Sequence, residues 1–278
     1  MKRALALFLF ALAAALPASA DSLLPGLLGS GGTINLPFSL GGVSGTLTVS
    51  FDSVTNLSLP NLGASVSLVS PLDPALAARL PSGVSIPLTL PILVHIEPTP
   101  SGGLAFNGTA TIQLQALTLL FPSNSPRIYA APTGGNFTDV TKATKTVNMN
   151  TSYRVIGTRG GFSEFLIVSD PRPVDTVIGE KLDQLDQTLA DNSGAISAPV
   201  AADLAAELAA ARAHVDAGNP AAAITDLDGF LATVAQHSGT DIPDVWRAAR
   251  DLTDVAGLLS AGAQTLQYSL NVKLGLAH

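Results

Sequence analysis

The apolar residues of this chain repeat with one period before Pro171-Arg172-Pro173 and with another after it. Upstream of these prolines, apolar and polar residues alternate in short runs, which is the period of a half-buried β-strand. Downstream, apolar residues recur three and four positions apart, which is the period of an amphipathic helix. The sequence therefore predicts an α+β protein, in which an N-terminal antiparallel β-sandwich is followed by a separate four-helix bundle.

The same change of period sets the predicted domain boundaries. We expect the β-sandwich domain at residues 33–170, a hinge at 171–173, a helical domain at 174–270 and a C-terminal tail at 271–278. Proline at both ends of the hinge favours a break in regular structure, which makes it the natural joint between the two domains.

Short strands separated by turn residues make up the predicted sandwich. The clearest strand places four apolar side chains on one face, namely Val43, Leu47, Val49 and Phe51. Further strands are predicted at 65–68, 92–96, 104–114, 117–121, 127–131, 153–157 and 162–168. The turn signals at 98–103 and 133–136 indicate hairpin connections, and residues 74–80 favour one or two helical turns inside a loop.

Four apolar stripes make up the predicted helical domain, and they begin at Val174, Val200, Ile224 and Trp246. The second helix is expected to stop, and the third to start, at Gly218-Asn219-Pro220. Glycine can take the left-handed position that ends a helix, asparagine can cap the next one, and proline fits its first turn. Asp241 is predicted to cap the fourth helix, which then runs toward Tyr268.

The first twenty residues are typical of a secretory signal peptide. Lys2 and Arg3 precede an apolar run that ends at Leu16, and small residues lead to a predicted cleavage after Ala20. An uncleaved anchor is the alternative, but a membrane span needs about 20 apolar residues and Pro17 ends this run earlier. We therefore expect a secreted or periplasmic protein, with a linker at 21–32 and no membrane span in the mature chain.

Composition excludes several classes of function. The chain has no cysteine, so disulfides, thiol nucleophiles and thiolate metal sites are excluded. Without residues 1–20, 12 basic and 21 acidic side chains give a net charge of −9. Nucleic acid and anionic membranes require clustered Lys and Arg, so neither is an expected partner.

The helical half resembles the FIMAH-type domain, a small helical module of bacterial secreted and surface proteins. The residues that carry the resemblance lie between 181 and 260: Leu204, Leu208, Ala211, Val215, Gly218-Asn219, Ala222-Ala223, Leu227, Phe230-Leu231, Val234, Gln236 and Ser238-Gly239. Gly229 and Thr240 stand where that family usually has Ala and Lys. The resemblance implies a helical bundle in a surface context and brings no catalytic residue.

Residues 127–168 are similar to the last strands of ZU5-like β-sandwich modules of bacterial surface proteins. The similarity lies in Arg127-Ile128-Tyr129, in 134–141 and in 161–165. Phe137 and Glu164 replace the usual Trp and Pro of that family. The similarity implies a sandwich and a surface location.

No pattern of residues predicts a catalytic, cofactor-binding or metal site. A nucleophilic serine on a sharp turn with a histidine partner is not indicated, because no Gly-X-Ser-X-Gly occurs. His95 reads as a structural strand residue, and His214 and His237 lie near predicted helix C-termini, where the dipole favours them. Asp226 and Asp228 resemble the start of a calcium loop, but helical phase places them on a helix surface.

The remaining acidic pairs are interpreted as solvated faces and capping residues. These are Asp183 with Asp186, and Asp241 with Asp244. The preferred function is thus an exported, noncatalytic binding or structural protein of the cell envelope or the exterior, with an envelope protein or a glycan as partner. Loops at 98–103 and 133–137 are the candidate contact elements. The alternative is a secreted glycan or ester hydrolase, in which carboxylates such as Glu97 meet a second acid only in the fold.

Overall fold

The computed structural model describes residues 27–29, 32–117, 126–147 and 152–277, and it has the predicted α+β architecture. The strands are β1 Leu27–Gly29, β2 Thr33–Leu40, β3 Val43–Thr55, β4 Ala64–Leu68, β5 Ile92–Ile96, β6 Ala105–Leu117, β7 Pro126–Ala131, β8 Thr138–Asp139, β9 Thr141–Val147, β10 Ser152–Arg159, β11 Glu164–Ser169 and β12 Val245–Arg247. The helices are α1 Leu59–Leu62, α2 Pro74–Ala77, α3 Val174–Asn192, α4 Ala198–Asp216, α5 Pro220–His237 and α6 Val255–Lys273.

Two antiparallel sheets pack face to face, as predicted for a sandwich. The seven-stranded sheet has the order β1-β2-β3-β6-β10-β9, with β12 added alongside β6, and the five-stranded sheet has the order β4-β5-β11-β7-β8. Alternating residues of both sheets bury their side chains in one common core, for example Leu47 and Val49 of β3 against Val94 of β5 and Phe165 of β11. The period of two that marks these strands in the sequence follows from this burial of one face.

The five-stranded sheet is buried on its second face as well. A loop that carries α2 covers it, and Leu76 of that loop packs in a cluster with Tyr129, Phe137 and Leu166. The helical turn predicted at 74–80 is therefore confirmed as α2, with Asp73 as its N-cap. Because both faces are covered, β11 is buried at four consecutive positions, 165–168.

One predicted connection is confirmed and another is wrong. β7 and β8 pair directly across residues 133–136, so this turn does form a hairpin. Residues 98–103 do not, because β5 belongs to the five-stranded sheet and β6 to the seven-stranded one. The turn signal is present, as a 3-10 turn at Pro100–Gly102, but it carries the chain from one sheet to the other. A turn pattern specifies a reversal and leaves the partner strand unspecified.

Helices α3 to α6 share a core of their own. The predicted apolar stripe of α3 is buried at Ile178, Leu182 and Leu185, against residues of α4, α5 and α6. The break at Gly218-Asn219-Pro220 is confirmed: Gly218 has a φ of 71°, and the Asn219 side chain accepts a hydrogen bond from Ala222 N at 3.2 Å.

The beginning of the predicted fourth helix is wrong. Residues Val245–Arg247 form β12, which pairs with Ala105–Asn107 of β6, and helix α6 starts only at Val255 with Asp254 rather than Asp241 as its N-cap. β10 ends opposite Ala110, which leaves the first residues of β6 unpaired along that edge, and β12 pairs with them. The spacing of apolar residues within 241–259 contains no information about the unpaired edge of β6, which lies far away in the sequence.

Trp246 is the central residue of β12. Its indole stacks on Phe106 at 5.2 Å between ring centroids and meets Phe162 edge-on at 5.3 Å. It belongs to the sandwich core, whereas Leu252 of the predicted stripe is exposed. The helical segment of the chain therefore contributes a strand and an aromatic side chain to the sandwich.

Helix α6 lies directly on the seven-stranded sheet, where it contacts β6, β9 and β10 as well as α3 and α5. Two glycines permit the approach of its first turn: a Cβ on Gly160 would lie 2.4 Å from Leu258 N, and one on Gly257 would lie 2.1 Å from Gly108 O. The helices thus pack on the sheet backbone itself. Whether the two predicted domains fold separately stays a prediction.

At the ends of the chain, the predicted segments are covered only in part. The signal peptide at 1–20 lies outside the described residues, as do most of the linker at 21–32 and most of the strand predicted at 117–121. Within the predicted linker, Leu27–Gly29 forms strand β1, which pairs with β2. At the other end of the chain, α6 continues to Lys273, three residues beyond the predicted domain boundary at 270. None of the helices in the described ranges is long and apolar enough to cross a bilayer.

Candidate functional site

The two loops predicted as contact elements lie at one end of the five-stranded sheet. β5 and β7 both end there, on either side of the first residue of β11, Glu164. The loop at 133–137 is held from below by Arg79, whose Nε donates to Gly135 O at 2.6 Å and whose guanidinium lies 4.4 Å from the centre of the Phe137 ring. Because Phe137 is fully buried, only the tip around Gly134 is free for contact.

Glu97, named for the hydrolase alternative, lies beside the other loop. Its Oε1 accepts a hydrogen bond from Arg250 Nη2 at 2.6 Å, and both side chains are exposed. The partner that the structure describes for this carboxylate is a cation rather than a second carboxyl group.

The histidines occupy the positions that the sequence predicts, and two of them have aspartate partners. His95 is half-buried near the end of β5, opposite Glu164 in register. His214 Nδ1 lies 2.5 Å from Asp226 and His237 Nδ1 lies 2.7 Å from Asp241, near the C-termini of α4 and α5. His278 lies outside the described residues.

The acidic pairs all have partners within the protein. Arg212 lies between Asp183 and Asp186, at 2.9 Å from the first. Asp228, the second acid of the possible calcium loop, accepts a hydrogen bond from Gln267 Nε2 at 2.7 Å. Across the described ranges, no group of three or more His, Asp and Glu side chains could hold a metal ion.

A buried charge pair between the sheet and the helices was not predicted. Lys181 of α3 and Asp139 of β8 are both buried, with 3.0 Å between Nζ and Oδ2. Lys181 also donates to Thr265 O of α6 at 3.0 Å, and Asp139 Oδ1 accepts from Thr141 N at 2.7 Å. Burial lowers the pKa of the Lys181 ammonium, and the nearby Asp139 carboxylate opposes that shift.

A sequence signal for Lys181 exists in its helical phase. It falls on the apolar stripe of α3, four residues after Val177 and four before Leu185. A lysine at a core-facing position must be paired, since an isolated buried ammonium is unstable. Nothing in the sequence indicates that Asp139 is the partner, because the two residues meet only when β8 packs beside α3.

A cavity of about 120 Å³ adjoins this pair. Strands β8 and β10 form one wall of it and helices α3 and α6 the other, through residues that include Asp139, Thr158, Arg159, Lys181, Gln184, Thr188, Leu258, Ala261 and Thr265. Gln184 is exposed and Thr188 is half-buried, so these two side chains form the mouth. Gln184 Nε2 also reaches Thr138 Oγ1 of the sheet at 3.2 Å.

Two residues that line this cavity each carry a buried polar atom without a hydrogen-bond partner in the described chain. Arg159 Nη1 and Thr158 Oγ1 are inaccessible to solvent and form no hydrogen bond. Part of the Arg159 residue still reaches solvent, yet burial lowers the pKa of its guanidinium. Buried polar groups in folded proteins are nearly always hydrogen-bonded, so this arrangement indicates a site that something else completes.

The predicted hinge is clamped beside the same site. Asp170 Oδ2 accepts from Tyr129 Oη at 2.6 Å, and Asp170 Oδ1 accepts from Arg172 Nε at 2.8 Å. Arg172 continues to Glu180 of α3 at 2.7 Å. Burial alone would raise the pKa of Asp170, but the hydrogen bonds from Arg172 and Tyr129 hold it below its ordinary value. This network fixes α3 against the sheet and gives the cavity defined walls.

The comparisons with known proteins add a family and no activity. The chain belongs to the family of unknown function DUF6689, whose model matches residues 8–273. The match extends over both the sandwich and the helices. No curated protein matches the chain.

Proposed function

We propose that this protein is an exported, noncatalytic binding protein of the cell envelope, with its ligand site between the β-sandwich and the helices. The observation that carries the proposal is the cavity at that interface, in which Arg159 Nη1 and Thr158 Oγ1 have no partner in the described chain. Leaving buried donors unpaired costs about 1–3 kcal/mol each, and more for charged groups. A bound ligand recovers that free energy.

The way Lys181 is held supports binding over catalysis. A lysine that acts as a nucleophile needs a free amine near its substrate, whereas Lys181 Nζ is engaged by Asp139 and by Thr265 O. The ion pair holds α3 against the sheet and leaves Arg159 as the charged group available to a ligand. Rigid walls with a few convergent polar groups are typical of binding sites.

The predicted signal peptide supports the proposed location. Export is expected from residues 1–20, and cleavage after Ala20 would release the chain into the periplasm or the exterior. The resemblances to FIMAH-type and ZU5-like modules support the same surface context. Cell fractionation with mass spectrometry of the mature N-terminus tests this: a mature chain that starts at Asp21 is expected outside the cytoplasm, and an unprocessed cytoplasmic chain would contradict it.

One observation favours the hydrolase alternative. Burial raises the pKa of Asp254 to about 8, with the negative charges of Asp244 and Asp52 adding to the effect. A carboxyl group that keeps its proton at neutral pH can serve as a general acid. Asp254 caps α6, however, and it lines none of the three cavities described for this chain. Activity on glycosides or esters that Asp254→Asn abolishes would favour the hydrolase.

A ligand screen on the mature protein tests the binding function. Thermal denaturation with a panel of small acids, sugars and amino acids is expected to yield compounds that raise the Tm of the mature protein. The same compounds should leave Ala261→Leu unaffected, since a leucine side chain at that position of α6 would fill the cavity. No stabilising compound in the panel, or equal stabilisation of both proteins, would refute a ligand site here.

A further inference from the structure

We infer that the ligand of this cavity is a small carboxylate or oxyanion group, bound by the guanidinium of Arg159. This inference rests on the proposed binding function and adds the chemical class of the ligand. It is drawn from the charges, donors and size of the cavity.

The charged groups that line the cavity do not cancel. They are Asp139, Lys181 and Arg159, and the first two already form an ion pair with each other. In the neighbouring cluster, Arg172 pairs with both Asp170 and Glu180, which leaves one excess negative charge there, but neither carboxylate forms an ion pair with Arg159 in the described chain. Arg159 is therefore left with one positive charge, since arginine stays protonated in proteins, and one negative charge in the cavity would balance it.

The donors at the site suit an oxygen-bearing anion. A guanidinium presents several N–H donors in a planar fork that matches the oxygens of carboxylates and phosphates. Arg159 Nη1 has no hydrogen-bond partner in the described chain that would compete with such an anion. At the mouth, the second N–H of the Gln184 amide can donate to atoms that project outward, whereas the Thr188 hydroxyl already donates to Gln184 O at 2.7 Å.

The size of the cavity limits the group that enters. At about 120 Å³ it is somewhat smaller than a cavity of about 150 Å³ that accommodates benzene. A group of about four to six non-hydrogen atoms, such as acetate or phosphate, fits that volume. Because Gln184 at the mouth is exposed, the group can be a free ion or the acidic end of a larger molecule such as an acidic sugar.

The decisive experiment compares acetate with acetamide, its neutral isostere, in thermal denaturation of the mature protein. The ionic strength is held constant with potassium chloride in a Tris buffer, which supply no carboxylate or oxyanion, and phosphate and galacturonate are tested in parallel. Acetate or phosphate is expected to raise the Tm saturably, by about 5 °C or more at 100 times the Kd, while acetamide has no effect. Stronger binding of galacturonate than of acetate would assign the anion to a larger molecule.

Two arginine variants separate the site from a general effect of salt. Arg159→Met is expected to lose the response, whereas Arg154→Met on the same strand should keep it, since Arg154 Nε bonds instead to Gln115 at 2.9 Å. In the chloride buffer alone, Arg159→Met should melt no lower than the unsubstituted protein, because it removes an unpaired charge. If Arg159 had only a structural role, Arg159→Met would melt at a lower temperature than the unsubstituted protein in the same buffer.

The outcomes distinguish the two levels of the proposal. In one outcome, acetamide or a neutral sugar raises the Tm, Ala261→Leu loses this response and no anion raises the Tm. That outcome would overturn the proposal of an anionic ligand and would leave the binding function intact. If anions raise the Tm of Arg159→Met and of the unsubstituted protein equally, the anion site is overturned. If no compound acts through the cavity, both proposals fail.

Discussion

The buried carboxyl group of Asp254 predicts an unusual dependence of stability on pH. Asp254 has no solvent exposure, its Oδ1 accepts from Gly257 N at 2.6 Å and its Oδ2 has no hydrogen-bond partner. Burial raises its pKa from 3.8 to about 8, with Asp244 and Asp52 adding to the shift. Between these two values, the folded protein keeps a proton that the unfolded chain has lost.

The sign and size of the effect follow from this difference. Because the folded state binds more protons, the stability contributed by Asp254 is present below pH 4, falls as the pH rises and is lost by about pH 8. Each pKa unit corresponds to about 1.4 kcal/mol, and pH 7 lies about three units above the pKa of 3.8 that Asp254 has in the unfolded chain. Asp254→Asn has no proton to lose, so its stability relative to the unsubstituted protein should rise by about 3–4 kcal/mol between pH 4 and pH 7.

Urea denaturation of both proteins at pH 4, 5, 6, 7 and 8 measures this difference, and other titrating groups cancel in the comparison. At pH 4 the two should agree within about 1 kcal/mol, since asparagine also caps a helix. Asp73→Asn, at the N-cap of α2, is the control for replacing a capping carboxylate by an amide. A difference that does not change with pH, or one that favours aspartate as the pH rises, would refute the reasoning.

Three further predictions concern the contact between sheet and helices. Lys181→Met should destabilise the protein by about 3–5 kcal/mol in urea denaturation, because it leaves the Asp139 carboxylate buried and unpaired. The double variant that also carries Asp139→Asn should recover much of that lost stability. Gly160→Ala should destabilise the protein, since its Cβ would lie 2.4 Å from Leu258 N. Gly179→Ala in α3, with open space around it, should stabilise the protein by about 0.5–1 kcal/mol. Changes of the same sign in the free energy of unfolding of both variants would contradict the close packing at Gly160. Trp246→Ala should cost about 3–5 kcal/mol in the same assay and increase cleavage within the sandwich in limited proteolysis, and an unchanged midpoint would show that β12 is dispensable.

The sequence predicted correctly those strands and helix ends that depend on residues close together in the chain. The strand that begins at Val43 follows from alternation, and the break between α4 and α5 follows from the preferences of Gly218, Asn219 and Pro220. Such patterns depend on neighbours two to four residues apart, which a reader of the sequence can see. The structure agrees with the sequence at these positions because burial of one face requires that spacing.

The candidate site was not predicted, because its residues come from distant parts of the chain. Lys181 could have been noticed as a charge on an apolar stripe, but its pairing with Asp139 depends on how α3 packs on the sheet. The missing partner of Arg159 is likewise visible only when all its neighbours are known. The pKa of a side chain and the presence of a partner for a donor both depend on the groups that lie near it in space. These neighbours are known only once the chain is folded.

By itself, the sequence determined the α+β class, the export signal as a prediction, the absence of cysteine chemistry and the phase of the buried faces. The tertiary structure alone decided that Val245–Arg247 joins β6 as a strand and that α6 touches the sheet through glycines. It also decided that Arg159 borders a cavity between the two parts. The physical reason is that periodicity specifies which side of an element is buried, whereas the partner of that side is chosen by packing over the whole chain.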